Sequence, residues 1–264
     1  MATGATKSEV SNLVLAWSGS HLQWLQWECM KVLRWESVSV LNHDDLRDKL
    51  LDLAKSMPAI GGVYFTTKTP FFSLAPTRVV SGREQAIQSL HMGESNVPPV
   101  VFFTEAFGEE TTIIERDIPG FQSTVEGIWP QAKRKSQALE MLETVAIELR
   151  RTPRGGCVAI DVGNERAMMA LFANGKLIWS MTTEDLEGDG ILYHVVNAMR
   201  RQKLDETFDT SALFMGNVEQ SGDLVKSFER FFSSVEVKYP EVDWNTKPPS
   251  PQHWSALTGI LPCE

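Results

Sequence analysis

Short apolar runs alternate with longer amphipathic ones along the chain, and the clearest unit of this pattern is Gly155–Trp179, GGCVAIDVGNERAMMALFANGKLIW. Cys157–Asp161 is an apolar run ending in a carboxylate, and Val162-Gly163-Asn164 follows it as a turn-prone tripeptide. Ala167–Ala173 is a second apolar run. It is closed by Asn174-Gly175, the dipeptide that best tolerates the positive φ angles of a type I′ hairpin turn. Lys176–Met181 supplies a return strand, so the unit reads as three antiparallel strands whose first turn carries Asp161 and Gly163.

The start of the chain has a related pattern. Asn12–Trp17 is an apolar strand, whereas Leu22–Trp35 supports two readings: Leu22, Leu25, Cys29 and Val32 fall at helical spacing, yet the run is rich in Trp and has no capping signal. Laying Leu13–Trp35 over Cys157–Trp179, a shift of 144 (Leu13 onto Cys157), matches Val14 with Val158, Gly19 with Gly163, Leu33 with Leu177 and Trp35 with Trp179. The matches fall on a strand, a turn and a return strand, which favours three strands over a helix at Asn12–Glu36.

Between and after these units the period changes. Asn42 is an N-cap signal, with Asp44 and Asp45 in the first turn and Leu46, Leu50, Leu53 and Ala54 on one helical face to about Ser56. Strands are predicted at Gly61–Thr67, Val100–Thr104 and Thr111–Arg116, a turn at Phe107–Glu110, and helices at Gly82–Leu90, Phe121–Trp129 and Ser136–Arg150. The second half repeats this order: a helix at Glu184–Arg201 opened by Thr183, a strand Ser211–Met215 ending at Gly216, and a helix capped by Ser221 with Leu224, Val225, Phe228 and Phe231 inward. A strand Ser234–Lys238, a Pro-rich connector Pro240–Pro251 and a final helix His253–Leu261 complete it. Three strands, helix, strand, helix, strand, helix is a mixed α/β plan that occurs twice. It predicts two domains, 1–152 and 153–264, divided at Thr152–Gly156.

Composition narrows the class. The chain has 264 residues, 42% hydrophobic and 22% charged, which suits a folded protein of one large or two ordinary domains. A net charge of −9 argues against a nucleic-acid surface, since phosphate-backbone binding draws on clustered Lys and Arg. Arg150-Arg151 and Arg200-Arg201 fall at predicted helix C-termini, where they oppose the helix dipole, leaving Lys133-Arg134-Lys135 as the other basic cluster. Cys29, Cys157 and Cys263 are far apart without a CxxC pair, as in a reducing compartment. No run approaches the roughly 20 apolar residues of a membrane span, and Met1–Val10 is polar, so a cytoplasmic protein is expected.

A duplicated domain of this order resembles the actin-like ATPase superfamily of actin, Hsp70 and sugar kinases, and within it a Bacteroidetes family of unknown function. The resemblance implies two tandem ribonuclease-H-like domains with nucleotide, ATP and Mg²⁺, in the cleft between them. Asp161-Val162-Gly163-Asn164 resembles the superfamily's phosphate loop, and Gly216 stands where its adenosine-contacting Gly pair begins, with Asn217 in place of the second Gly. The implied cofactor-binding residues are therefore Asp161, Gly163, Asn164 and Gly216. In the shift of 144, Trp17 takes the place of Asp161 in the first half, and an indole cannot coordinate Mg²⁺; Ser18-Gly19-Ser20 retains N–H and hydroxyl donors for phosphate.

Other chemistry is thin. His21, His43, His91, His194 and His253 have no HxxxH or HxH spacing, so no metal site is expected from them. Ser18-Gly19-Ser20 lacks the GxSxG frame of a nucleophile elbow. Trp17, Trp24, Trp27 and Trp35 lie close together in a chain with 8 Trp, and strand alternation exposes some of them as a patch suited to a protein partner. Two functions follow: a catalytically degenerate actin-like-fold protein that binds a protein, or a nucleotide-binding ATPase or phosphotransferase using the interdomain cleft.

Overall fold

The computed structural model of the chain describes residues 11–57, 59–68, 72–80, 99–105, 110–115, 117–151, 155–164, 166–204 and 210–260. The predicted helix at Gly82–Leu90, most of the turn at Phe107–Glu110 and residues 152–154 of the Thr152–Gly156 boundary lie outside these residues.

Two mixed sheets carry the fold. In the first, β1 (Ser11–Trp17), β2 (His21–Glu28) and β3 (Lys31–Ser39) form an antiparallel meander, and β4 (Ile60–Thr67) joins β1 in parallel. The helical reading of Leu22–Trp35 is thereby excluded. A small sheet follows, built from β5 (Phe72–Pro76), β6 (Val100–Thr104) and β7 (Thr111–Glu115) in the order β5-β7-β6. The two-residue β8 (Lys133–Arg134) then extends the first sheet beyond β4. The second sheet repeats the meander with β9 (Gly156–Val162), β10 (Ala167–Ala173) and β11 (Lys176–Thr183), and adds β12 (Thr210–Gly216) and β13 (Ser234–Val237) in parallel.

The two meanders correspond residue for residue at a shift of 145 rather than 144. Ser11–Trp17 matches Gly156–Val162, the β2–β3 turn Cys29-Met30 matches Asn174-Gly175, and Lys31 matches Lys176. Even the bulges coincide, between Gln26 and Trp27 in one sheet and between Leu171 and Phe172 in the other. Trp17 is therefore the counterpart of Val162, and Ala16 is the counterpart of Asp161. Because side chains alternate across a strand, the one-residue difference moves Trp17 to the opposite face. Leu13, Leu15 and Trp17 pack outward under the helices His43–Ser56 and Phe121–Ile128, with Trp17 stacked on Phe121 at 6.0 Å between centroids. Val14 and Ala16 face inward.

Each sheet is covered on its outer face by helices of its own half and on its inner face by a helix from the other. The outer face of the second sheet packs on Gly188–Arg201 and Asp223–Phe228 through Ile191, Val195, Val225 and Phe228. Its inner face packs on Gln137–Arg151, whose Ala138, Met141, Leu142 and Val145 meet Ala159, Met168 and Met215. The inner face of the first sheet receives the end of the described chain. β14 (Asp243–Trp244) pairs in parallel with β3, Trp35 Nε1 donates to the Thr246 carbonyl at 2.7 Å, and Trp254, Leu257 and Ile260 cover Val14, Ala16 and Trp27. Asp243–Trp244 thus extend the first sheet, and the segment that follows packs on its inner face.

Local chemistry accounts for the element ends. Asn42 caps its helix by accepting from the Asp45 N–H at 3.0 Å. The helix expected at Glu184–Arg201 begins at Gly188, because Thr183 ends β11 and its hydroxyl accepts from the Asp185 N–H in a local turn. The next helix is capped by Gly222 rather than Ser221 and stops at Phe228, so Phe231 leaves the buried face and is 53% exposed. Among the described residues no helix is long and apolar enough to cross a membrane.

Asn174 and Gly175 adopt φ of 51° and 74°, the type I′ geometry their identities favour. Cys29 and Met30 hold φ of 43° and 67° at the matching turn, without the residues suited to it. Left-handed backbone costs such residues roughly 1–2 kcal/mol each. Cys29→Asn with Met30→Gly is expected to raise stability by about 1 kcal/mol in urea unfolding, since Cys29 is exposed and Met30 is 44% exposed, so little packing is lost.

Candidate functional site

A cleft of about 630 Å³ opens between the two meanders, where the first turn of each faces the other half. Its first-half wall comes from Ser18, Gly19, Ser20 and His21 with Gln23 and Ser37 below them. Its second-half wall comes from Asp161, Gly163, Asn164 and Arg166 with Met168 and Thr182 below. At the shift of 145 these are matching positions: Gln23 with Met168, Ser37 with Thr182, His21 with Arg166. The four residues expected from sequence, Asp161, Gly163, Asn164 and Gly216, all line this one cleft. Trp17 does not; it is buried on the far side of its sheet.

Asp161 is the penultimate residue of β9 and points at the start of the helix Gln137–Arg151, where Gln137 Nε2 donates to its Oδ2 at 2.8 Å. Ser136 opens that helix, its hydroxyl accepting from the Leu139 N–H at 2.9 Å. Burial pushes the Asp161 carboxyl above the usual carboxylate range, against the opposing pull of the Gln137 bond and of Lys68. Gly216 ends β12 beside it at φ 81°. A Cβ there would meet the Val162 carbonyl oxygen and lie 2.5 Å from Asp161 Oδ1, so only Gly fits. The next residue, Asn217, donates its N–H to the Val162 carbonyl at 2.6 Å and its side-chain amide to Asn164 Oδ1 at 3.3 Å, tying the two second-half loops together.

On the first-half side, Ser18 N–H donates to the His21 carbonyl at 3.1 Å and Gly19 has φ 97°, closing a tight turn. The Gly19 and Ser20 N–H groups have no acceptor among the described residues. His21 is held on both ring nitrogens, by Ser20 Oγ at 2.9 Å and Ser39 Oγ at 3.2 Å. Lys68 follows β4; its N–H donates to the Trp17 carbonyl at 2.7 Å, one step past the parallel pairing, which turns its side chain into the cleft. Burial pulls its amine below the usual lysine range, with Asp161 opposing, and no carboxylate of the described residues lies within ion-pair distance of it. His253, on the third wall beside Trp254, is also shifted down, first by burial and then by the Lys68 charge.

Lys68, Gln137, Arg166 and His253 were not expected from sequence. Each enters the cleft from a separate element: a strand end, a helix start, a hairpin turn and the returning C-terminal segment. Only the position of Lys68, directly after the strand predicted at Gly61–Thr67, could have drawn notice.

The lining suits a phosphate group better than Mg²⁺. Mg²⁺ is usually held by one or two carboxylates together with substrate phosphates. Among the described lining residues Asp161 is the sole acid; one of its oxygens is engaged by Gln137, and its counterpart Ala16 carries no ligand atom. No group of three or more His, Cys, Asp or Glu able to hold a metal occurs among the described residues. Donors, by contrast, line it: Lys68 and the Ser18–Ser20 turn, whose Gly19 and Ser20 N–H groups have no acceptor among the described residues, while the Ser18 and Ser20 hydroxyls are bonded to His21.

No protein-family model and no curated protein sequence matches the chain. Solved structures do. A Bacteroides thetaiotaomicron protein with an actin-like ATPase fold and unknown function superposes with a TM-score of 0.72 at 14% identity over 100% of both chains. A chain of the PilM–PilN type IV pilus biogenesis complex superposes with a TM-score of 0.61 at 11% identity over 96% of this chain and 100% of its own. The fold is therefore actin-like, with two ribonuclease-H-like sheets around the cleft.

Proposed function

We propose that this actin-like-fold chain is catalytically degenerate and acts by binding a protein partner. The observation that carries the reading is the acid inventory of the cleft. Phosphoryl transfer relies on groups that orient the nucleophile and on cations that offset charge on the phosphoryl oxygens. Among the described lining residues a single carboxyl, Asp161, is present; it is held by Gln137 and pushed above the usual carboxylate range by burial, while the matching position is Ala16. Partner binding is supported by the PilM neighbour, which assembles with PilN. It is also supported by Phe103, 61% exposed on β6, an outer strand of the small sheet among the described residues.

Quantitative affinity capture from the native host, comparing wild type with Phe103→Asp and Asp161→Ala, tests this. A partner retained by Asp161→Ala and lost by Phe103→Asp is expected. Partners that all three proteins capture equally would remove the β6 surface from the account, and a chain that turns over ATP would contradict degeneracy itself.

The second reading, a nucleotide-binding ATPase or phosphotransferase using Asp161, Gly163, Asn164 and Gly216, is favoured by one observation. Those residues share a cleft with Lys68, whose ammonium has no ion-pair partner among the described residues.

A further inference from the structure

We infer that the open edge of β11 docks an extended segment of a protein partner, which adds to the second sheet as a parallel strand and carries basic residues at its C-terminal end. The inference rests on the partner-binding reading and gives it a contact and a partner chemistry. The first sheet shows how such an edge is covered. β3, the counterpart of β11, holds β14 against Lys31 and Val32. The Asp243 N–H donates to the Met30 carbonyl at 3.1 Å and the Asn245 N–H to the Val32 carbonyl at 2.9 Å. Trp244 packs with Val32 on the inner face, and Val32 is 1% exposed. At the shift of 145 Val32 corresponds to Leu177, which is only half-buried at the inner face of the second sheet. Among the described residues β11 pairs with β10 alone, so the edge to which Leu177 directs its N–H and carbonyl has no counterpart of β14.

The sequence of β11 leaves this edge unguarded. Edge strands are ordinarily protected by charged side chains or by a covering segment. Beyond β14, β3 exposes Arg34 and Glu36, whereas β11 has no charged residue between Lys176 and Thr183. An added strand would gain main-chain hydrogen bonds, and an apolar side chain beside Leu177 would take the place that Trp244 takes beside Val32. Direction then sets charge. A strand parallel to β11 runs towards Thr183, and past that residue Glu184, Asp185, Glu187 and Asp189 are all exposed. Glu184 is paired with Arg166, and no other ion pair among the described residues involves these four acids. Lys or Arg at the end of the incoming segment would meet them.

The probe is a fluorescently labelled synthetic peptide of alternating threonine and valine with one tryptophan, ending in a run of lysines, and its binding is read by anisotropy. Wild type and Phe103→Asp, which alters the β6 surface instead, are expected to bind it alike. A loss of about tenfold or more is expected in Leu177→Pro, which removes the outward N–H, and in Glu187→Lys combined with Asp189→Lys. Moving the lysines to the start of the peptide, or replacing them with glutamates, should weaken binding as much. Hydrogen exchange should slow within Lys176–Thr183 when the peptide is bound. Binding kept by Leu177→Pro and lost by Phe103→Asp, or slowed exchange at Val100–Thr104 instead, would overturn β11 docking and leave the partner-binding reading on β6. No binding at millimolar peptide would overturn it too, as would a dimer of the protein alone that Leu177→Pro dissociates, since a second copy would then be the occupant. Circular dichroism establishes that the variants are folded, and the charge variant, altered only at exposed positions, carries the test if Leu177→Pro is not.

Discussion

Gly216→Ala is expected to destabilise the protein by about 3 kcal/mol or more, the largest effect of any single methyl group near the cleft. Two costs combine. The residue holds φ 81°, which disfavours any side chain, and the added Cβ would collide with the Val162 carbonyl oxygen and approach Asp161 Oδ1 to 2.5 Å. Neither neighbour can yield cheaply, since the Val162 carbonyl also accepts from the Asn217 N–H and Asp161 is fixed by Gln137. Gly19→Ala is the control. Its φ of 97° is equally unfavourable, yet nothing lies within 4 Å of an added Cβ, so a loss of roughly 1 kcal/mol is expected. Urea unfolding of the two variants separates the conformational cost from the collision. Equal losses would mean that the β12–β9 contact is looser than described.

The second large effect is a pH dependence set by Glu115. This residue ends β7 fully buried, and its Oε1 accepts from the Ser136 hydroxyl, which joins the small sheet to the start of the helix Gln137–Arg151. Among the described residues its Oε2 has no hydrogen-bond partner, and neither has Arg134 Nε. Burial raises its pKa to about 7 from an ordinary value of 4.5, opposed by Ser136, the Arg134 charge and the Ala138 N–H, and aided by Asp117. Asp117 itself pairs with Arg134 at 2.7 Å. The folded protein therefore holds the Glu115 proton to a higher pH than the unfolded chain does. Its contribution is fully present below about pH 4.5 and is lost as pH rises through about 7, a total on the order of 3 kcal/mol. Glu115→Gln should flatten the decline in stability between pH 5 and 8, read as the slope of unfolding free energy against pH. An unchanged slope would show that Glu115 ionises normally in the fold.

Much of the fold was legible because local chemistry and tertiary packing agreed. Val100–Thr104 was bounded by Pro98-Pro99, Asn174-Gly175 announced its turn, and Asn42 with Asp44 and Asp45 announced its helix. The misses have physical causes. β5 ends in Pro76, a residue that weakens any strand signal, and β8 and β14 are two-residue strands whose pairing partners are distant in sequence. The identities of Gly19 with Gly163 and Trp35 with Trp179, which suggest a shift of 144, are coincidences one residue away from the structural correspondence. At the true shift the only identity over Leu13–Trp35 is Lys31 with Lys176, so geometry is retained where sequence is not. The missing second carboxylate survives this correction, with Ala16 rather than Trp17 as the reason. Of the cleft, the Asp161 turn and Gly216 could be read from the chain. Lys68 could have drawn notice only by its place directly after a predicted strand; Gln137, Arg166 and His253 could not, since each is ordinary in its local sequence and becomes a cleft residue only through the packing of distant elements.

The most direct test is the rate of ATP hydrolysis with and without Mg²⁺, for wild type and Asp161→Ala. Degeneracy predicts no phosphate release above the protein-free background in either condition, and no difference between the two proteins. Mg²⁺-dependent turnover by wild type that Asp161→Ala abolishes would contradict it.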